Sequence, residues 1–223
     1  MRFNPQKLEK IGSGSEKNVY VDPKTPDRVI AQFHEDALET KRALKGRYYL
    51  SKILHILLPK NIPDIHSASK NDKKVIVSER KNLNKEHNKL AEAGVRGEGF
   101  PNIYFSSAYD EHETKLKLDP RYQKFLDSMR FLDVKVDPSP INFGYDKGDN
   151  LIYVDNTFKP WVLQLDYRSE YPKMHYLFNR ENLFDMIGLL EKNEKETAMK
   201  YFNRLEELCE EEEKEVAKET LKK

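Results

Sequence analysis

Short runs in which apolar and polar residues alternate fill the first eighty positions of the chain, and longer stretches repeating near 3.6 residues fill much of the rest. Lys10-Ile11-Gly12-Ser13-Gly14-Ser15-Glu16-Lys17-Asn18-Val19-Tyr20-Val21 sets a small-residue turn between two short apolar stretches. After the turn formers Asp22-Pro23 and Thr25-Pro26-Asp27, Arg28 to Phe33 predicts the next strand. Ile65 to Ser69 and Lys74 to Ser78 flank Asn71-Asp72 as a hairpin. Between them, Ala37 to Leu58 predicts one long helix with Ala43, Leu50, Ile53, Leu54 and Leu57 on its apolar face, stopped by Pro59. Its Arg47 and Lys52 read as solvated helix charges, and His66 as an ordinary strand residue.

Beyond this small antiparallel sheet the helical period dominates. Lys85 to Gly94 predicts a polar helix, and Val95 to Pro101 a glycine-containing connection. Pro120 to Phe131 predicts an amphipathic helix with Tyr122, Phe125, Leu126, Met129 and Phe131 as its core set. Gly144 to Asn150 reads as a polar turn ahead of the apolar run Leu151 to Val154, and Asn182 to Leu190 as a buried helix. Lys195 to Lys223 predicts a charged helix that docks through Met199, Phe202, Leu205 and Cys209. Past Cys209 the run of glutamates is expected to leave the body and fray, where it offers a surface to a partner. The fold class is therefore α+β.

Charge and cysteine content narrow the function. A net charge of +1 with 35% charged residues gives no electrostatic case for nucleic acid or an anionic membrane. The single cysteine, Cys209, excludes an intramolecular disulfide framework and a cysteine-based metal cluster. The N-terminus, Met1 to Gln6, shows no apolar signal core, so a cytoplasmic location is expected.

Chemistry concentrates in Val136-Asp137-Pro138-Ser139-Pro140-Ile141-Asn142 and in Asp155, which follows Leu151-Ile152-Tyr153-Val154. Four residues separate Asp137 from Asn142, and Asp155 comes thirteen positions after Asn142. A short rigid loop with a return strand can bring the oxygen groups of all three residues together. Taken singly, Asp-Pro-Ser-Pro and Asn-Phe-Gly are ordinary turn chemistry.

This layout resembles the catalytic loop and metal-binding Asp of the protein-kinase-like superfamily, and the Gly12–Val19 turn looks like its glycine-rich loop. The resemblance runs from Ile11 to Leu190 and implies two lobes: residues 1–80 as a sheet lobe with one long helix, and residues 81–223 as a reduced, mainly helical lobe. Glu79 to Leu83 would be the hinge. It implies ATP and Mg²⁺ as cofactors, with Gly12, Ser13, Gly14 and Val19 at the nucleotide, Asp137 at the acceptor hydroxyl, and Asn142 and Asp155 on the metal. The acceptor, a small molecule or a protein, is not specified. Asp185 would brace the loop backbone, and Phe158 and Trp161 would line a substrate pocket or simply pack.

Several positions depart from the family pattern. Lys17 replaces the third glycine, and no lysine occurs between Lys24 and Lys41, where Ala31 or Gln32 holds the place of the strand lysine. Glu35, Asp36 and Glu39 lie too early in the long helix to supply its usual glutamate. Lys135-Val136 and Asn156-Thr157 replace His-Arg and Phe-Gly, and nothing resembles Ala-Pro-Glu. Lys17 is the nearest substitute for the missing lysine. The expectation is a kinase-like phosphotransferase, with a catalytically inactive pseudokinase as the main alternative and a nucleotidyl transferase as a remoter one.

Overall fold

The computed structural model describes residues 8–13, 17–34, 41–67, 75–83, 107–155 and 177–220. The predicted Lys85–Gly94 helix, the connection 95–101, Gly14, Phe158 and Trp161 lie outside them. Five antiparallel strands form one sheet in the order β1-β2-β3-β5-β4: β1 Lys10–Ser13, β2 Lys17–Val21, β3 Arg28–Phe33, β4 Ile65–Ser67 and β5 Val75–Glu79. Helix α1, Lys41–Leu57, stands between β3 and β4 in the chain. The second half holds α2 Ser107–Leu118, α3 Pro120–Phe131, the hairpin β6 Phe143–Tyr145 and β7 Leu151–Tyr153, α4 Arg180–Gly188 and α5 Lys192–Thr220. The architecture is two-lobed α+β, a sheet with one long helix beside a mainly helical region.

Helix α1 serves both lobes. Leu44 packs with Ala31, Phe33, Ile65 and Ile76 of the sheet, whereas Leu50, Ile53 and Leu54 enter the large core built on α3, β6, β7, α4 and α5. Burying three such aliphatic side chains contributes on the order of 1.5–3 kcal/mol each, so α1 cannot leave either lobe cheaply. The chain after α1 is pinned as well. Asn61 donates its side-chain amide to the Leu151 carbonyl at 2.8 Å and accepts at its own carbonyl from Tyr153 N–H at 2.8 Å.

Two α1 side chains differ from expectation. Arg47 is buried at 2% exposure and Lys52 is bound to Asp64 at 2.7 Å, so neither is a solvated charge. The face of α1 that carries Tyr48, Tyr49 and Lys52 is covered by α5 through Tyr201, with ring centroids 6.5 Å and 6.3 Å apart and the Lys52 ammonium 5.7 Å from the Tyr201 ring. Nor does α5 fray past Cys209. It continues to Thr220, with Glu215 and Glu211 reaching Arg42 of α1 and Glu213 reaching Arg180 of α4. Long-range packing thus sets opposite charges beside a stretch whose own sequence suggests repulsion.

Helix α3 runs over the predicted residues. Asp119 caps it by accepting from Arg121 N–H at 2.8 Å, and Pro120 takes the first position, where no amide hydrogen is needed. Phe125 and Met129 enter the core, but Phe131 is 52% exposed and does not belong to the buried set. Helix α4 is likewise amphipathic rather than buried: Leu183 and Ile187 face inward while Phe184, and Leu189 just past the helix end, are exposed. The polar turn is shorter than expected, because Gly144 and Tyr145 belong to β6. No helix among the described residues is long and apolar enough to cross a membrane.

Candidate functional site

The chain enters the Asp137 loop through the end of α3. Asp133 adopts a left-handed conformation, φ 51°, its N–H reaches the Arg130 carbonyl at 3.0 Å, and Val134 N–H reaches the Met129 carbonyl at 2.9 Å. This is a Schellman closure, with the hydrophobic pair Met129 and Val134 buried together. It reverses the chain so that Lys135 to Ser139 runs out as an extended loop before the single 3₁₀ turn Pro140–Asn142.

Within the loop Asp137 is exposed. One carboxylate oxygen accepts from Ser139 N–H at 2.9 Å, an Asx turn that fixes the side chain locally. Its backbone N–H points at the Tyr153 hydroxyl, 3.2 Å away, and its carbonyl accepts from the Asn142 side-chain amide at 3.3 Å. Asn142 in turn accepts at its backbone carbonyl from Val154 N–H at 2.8 Å, which places Asp155 one residue beyond that bond. Asp137 and Asn142 are therefore hydrogen-bonded to each other, and Asp155 follows the residue bonded to Asn142.

Aromatic residues support this loop from below. Tyr122 donates its hydroxyl to the Pro138 carbonyl at 2.7 Å and stands edge-on to Phe143 with centroids 4.9 Å apart. Burial, with the Asp155 carboxylate nearby, raises the Tyr153 hydroxyl well above its ordinary range, so that it stays a neutral partner of the loop. From α2, the buried His112 places its Nε2 2.7 Å from the Phe143 carbonyl and 3.1 Å from that of Pro140. Asp185, expected to brace this loop, is exposed on α4 and makes no hydrogen bond or ion pair among the described residues. Its position falls on the outward side of an amphipathic helix.

Among the described residues, an ion pair joins the sheet to this loop. Lys17 Nζ contacts Asp155 Oδ1, with the two side chains 19% and 21% exposed. Lys17 opens β2 opposite Phe33, two residues before Val19. Because side chains two apart share a sheet face, Lys17 projects from the same face as Val19, which pairs with Ala31 of β3. Gly12 faces Val19 across β1 and β2, and Ser13 donates its hydroxyl to the Asn18 side chain at 2.8 Å.

The β6–β7 turn closes the region. The Asp146 carboxylate accepts from Gly148 N–H and Asn150 N–H, each at 2.9 Å, and a Cβ at Gly148 would lie 3.0 Å from Asn150 Nδ2, so a side chain there would disturb this tight turn. Asp146 also forms a bridge with Leu83, four residues after β5. A cavity of about 570 Å³ lies elsewhere, among Leu57, Leu58, Phe131, Leu132 and Met186, and none of the candidate residues lines it.

Among the described residues no three His, Cys, Asp or Glu side chains are grouped to hold a metal ion. The donor set at the loop is instead one carboxylate, Asp155, and the side-chain carbonyl of Asn142, whose amide nitrogen is taken by Asp137. Two oxygen ligands of this kind fit Mg²⁺ when phosphate oxygens and waters complete its shell. No family model and no curated protein matches the chain.

Proposed function

We propose that the chain is a minimal kinase-like phosphotransferase that takes ATP with Mg²⁺ between the sheet and the Asp137 loop and phosphorylates a hydroxyl. The observation that carries this reading is the contact of Lys17, from the glycine-rich hairpin, with Asp155, at the end of β7. It supports the reading because the lysine that would reach the phosphates and the carboxylate that would hold the metal lie close together, and phosphoryl transfer needs cationic charge at the phosphate oxygens. Asp137 would orient the acceptor hydroxyl and receive its proton, while Asn142 and Asp155 would hold the metal. Mg²⁺, when bound, supplies charge neutralisation at the transferring group. Lys17 would take over the phosphate grip that β3 lacks, and the backbone of Gly12 to Gly14 would approach the phosphates.

A second reading, a nucleotide- or partner-binding pseudokinase, is favoured by one observation: α1 carries no carboxylate between Lys41 and Leu57. The lysine–glutamate pair typical of active kinases therefore has no acidic partner in these residues.

Calorimetric titration of ATP with and without Mg²⁺, against an Asp155→Ala control, separates the two. Metal-dependent binding that disappears in the control, together with ADP as the product, supports the phosphotransferase. Pyrophosphate as the product would assign a nucleotidyl transferase instead. Absence of binding to the folded wild type supports the partner-binding module. Lys17→Ala is expected to abolish turnover, and unchanged turnover would remove Lys17 from the site.

A further inference from the structure

We infer that His112 is the positioning residue of the Asp137 loop, an assignment that rests on the phosphotransferase reading for its catalytic consequence and on geometry for the rest. The imidazole is 1% exposed and its Nε2 lies within hydrogen-bond reach of two acceptors, the Pro140 carbonyl at 3.1 Å and the Phe143 carbonyl at 2.7 Å. Neither acceptor can donate. The shared proton must therefore sit on Nε2, which fixes the tautomer.

Those two carbonyls bracket the 3₁₀ turn Pro140–Asn142, the first belonging to its opening residue and the second to the residue that follows it. One imidazole N–H thus spans the turn that carries Asn142. The turn transmits position in two directions. Asn142 contacts the Asp137 carbonyl through its side chain and receives Val154 N–H at its own carbonyl, next to Asp155. A loop cradled by His112 therefore has the candidate hydroxyl-orienting group and both candidate metal ligands fixed relative to one another. Lys17, from β2, contacts Asp155, and the carbonyls that His112 holds belong to the turn on the loop side. His112 should accordingly set how well the reacting groups are aligned rather than how tightly the nucleotide is gripped.

Two variants separate positioning from simple packing. His112→Gln keeps a side-chain amide near Nε2 with two N–H donors, one for each carbonyl, whereas His112→Leu fills the space and donates nothing. The expected result for His112→Leu is a drop in kcat of about 10- to 100-fold, with KM for ATP within about two-fold and a higher Mg²⁺ concentration at half-maximal rate. His112→Gln should restore kcat to within a few-fold of the wild type. Amide hydrogen exchange supplies a readout independent of turnover: Asn142, Phe143 and Val154 should exchange faster in His112→Leu and at wild-type rates in His112→Gln. Both variants are first checked for a cooperative thermal transition. If His112→Leu does not fold, the comparison of His112→Gln with His112→Asn decides, because the shorter amide cannot span both carbonyls.

A folded His112→Leu protein with wild-type kcat, Mg²⁺ dependence and loop exchange overturns the assignment. Faster loop exchange with unchanged kcat and Mg²⁺ dependence overturns it too, by reducing His112 to a packing residue. A wild type that neither binds ATP with Mg²⁺ nor turns it over counts against the phosphotransferase instead. The exchange pattern then decides alone whether His112 holds the loop.

Discussion

Asp119 makes a sharp test of how the helical lobe presents its loop. Its carboxylate caps α3 at Arg121 N–H, accepts the Tyr145 hydroxyl at 2.9 Å, and meets the Arg121 guanidinium at 2.8–3.1 Å. Arg121 also contacts Asp149, so the start of α3 is tied to the β6–β7 turn. Replacing Asp119 with Ala removes a helix cap, about 1 kcal/mol. It also strips the acceptor from Tyr145, a residue 1% exposed, where a hydrogen bond to a charged group contributes about 1.5–3 kcal/mol. The guanidinium is 45% exposed, so its ion pair adds little beyond these. The total is about 3 kcal/mol, or a fall in Tm of about 6–12 °C for a chain of this size. Asp119→Asn keeps a competent cap and an oxygen for Tyr145, so it should lose about 1 kcal/mol. The hydrogen bond from Arg121 holds the Asp119 carboxyl below its usual range. A depressed carboxyl stabilises the fold above its unfolded pKa and loses that contribution as pH falls through the folded value. The Tm gap between wild type and Asp119→Asn should therefore be constant from about pH 6 upward and close below about pH 4. Circular dichroism melts across that range measure it. A gap indifferent to pH, or Asp119→Asn as damaging as Asp119→Ala, would refute the network as described.

Two further outcomes follow from the same packing. Tyr201→Ala should lower Tm by about 4–8 °C, because it removes a ring shared by Tyr48, Tyr49 and Lys52, whereas Glu215→Gln, at an exposed pair with Arg42, should shift it by no more than about 2 °C; the reverse order in a melting experiment would place the α1–α5 attachment in its charges. Asp133→Gly should raise Tm by about 1–3 °C by relieving a left-handed aspartate in the α3 closure, and a fall would show that the Asp133–Lys135 contact outweighs the backbone term.

What the sequence made visible, and what it did not, follows the range of the forces involved. Strands β1 to β5 and helices α1 and α3 announce themselves because period, turn residues and caps are local, and Asp137, Asn142 and Asp155 are legible because one loop and its return strand bring them together. Helix α2 has no clear signature in the sequence, for a physical reason. Its inward positions are Tyr109, His112 and Leu116, and the middle one is a polar residue that burial has paired with backbone carbonyls, so the apolar stripe has a gap where the contact to the loop sits. The same limit explains Arg47, read as solvated because it is charged, and the glutamates after Cys209, whose partners Arg42 and Arg180 are remote in sequence. Lys17 and Asp155 are 138 positions apart, and no local pattern in the sequence shows that the one reaches the other. The motif thus names the groups proposed to do the chemistry, while the contacts that hold their loop come from side chains that no local pattern distinguishes. A variant series confined to motif residues would measure the first and miss the second, which is why His112, outside every motif, is the more discriminating position to change.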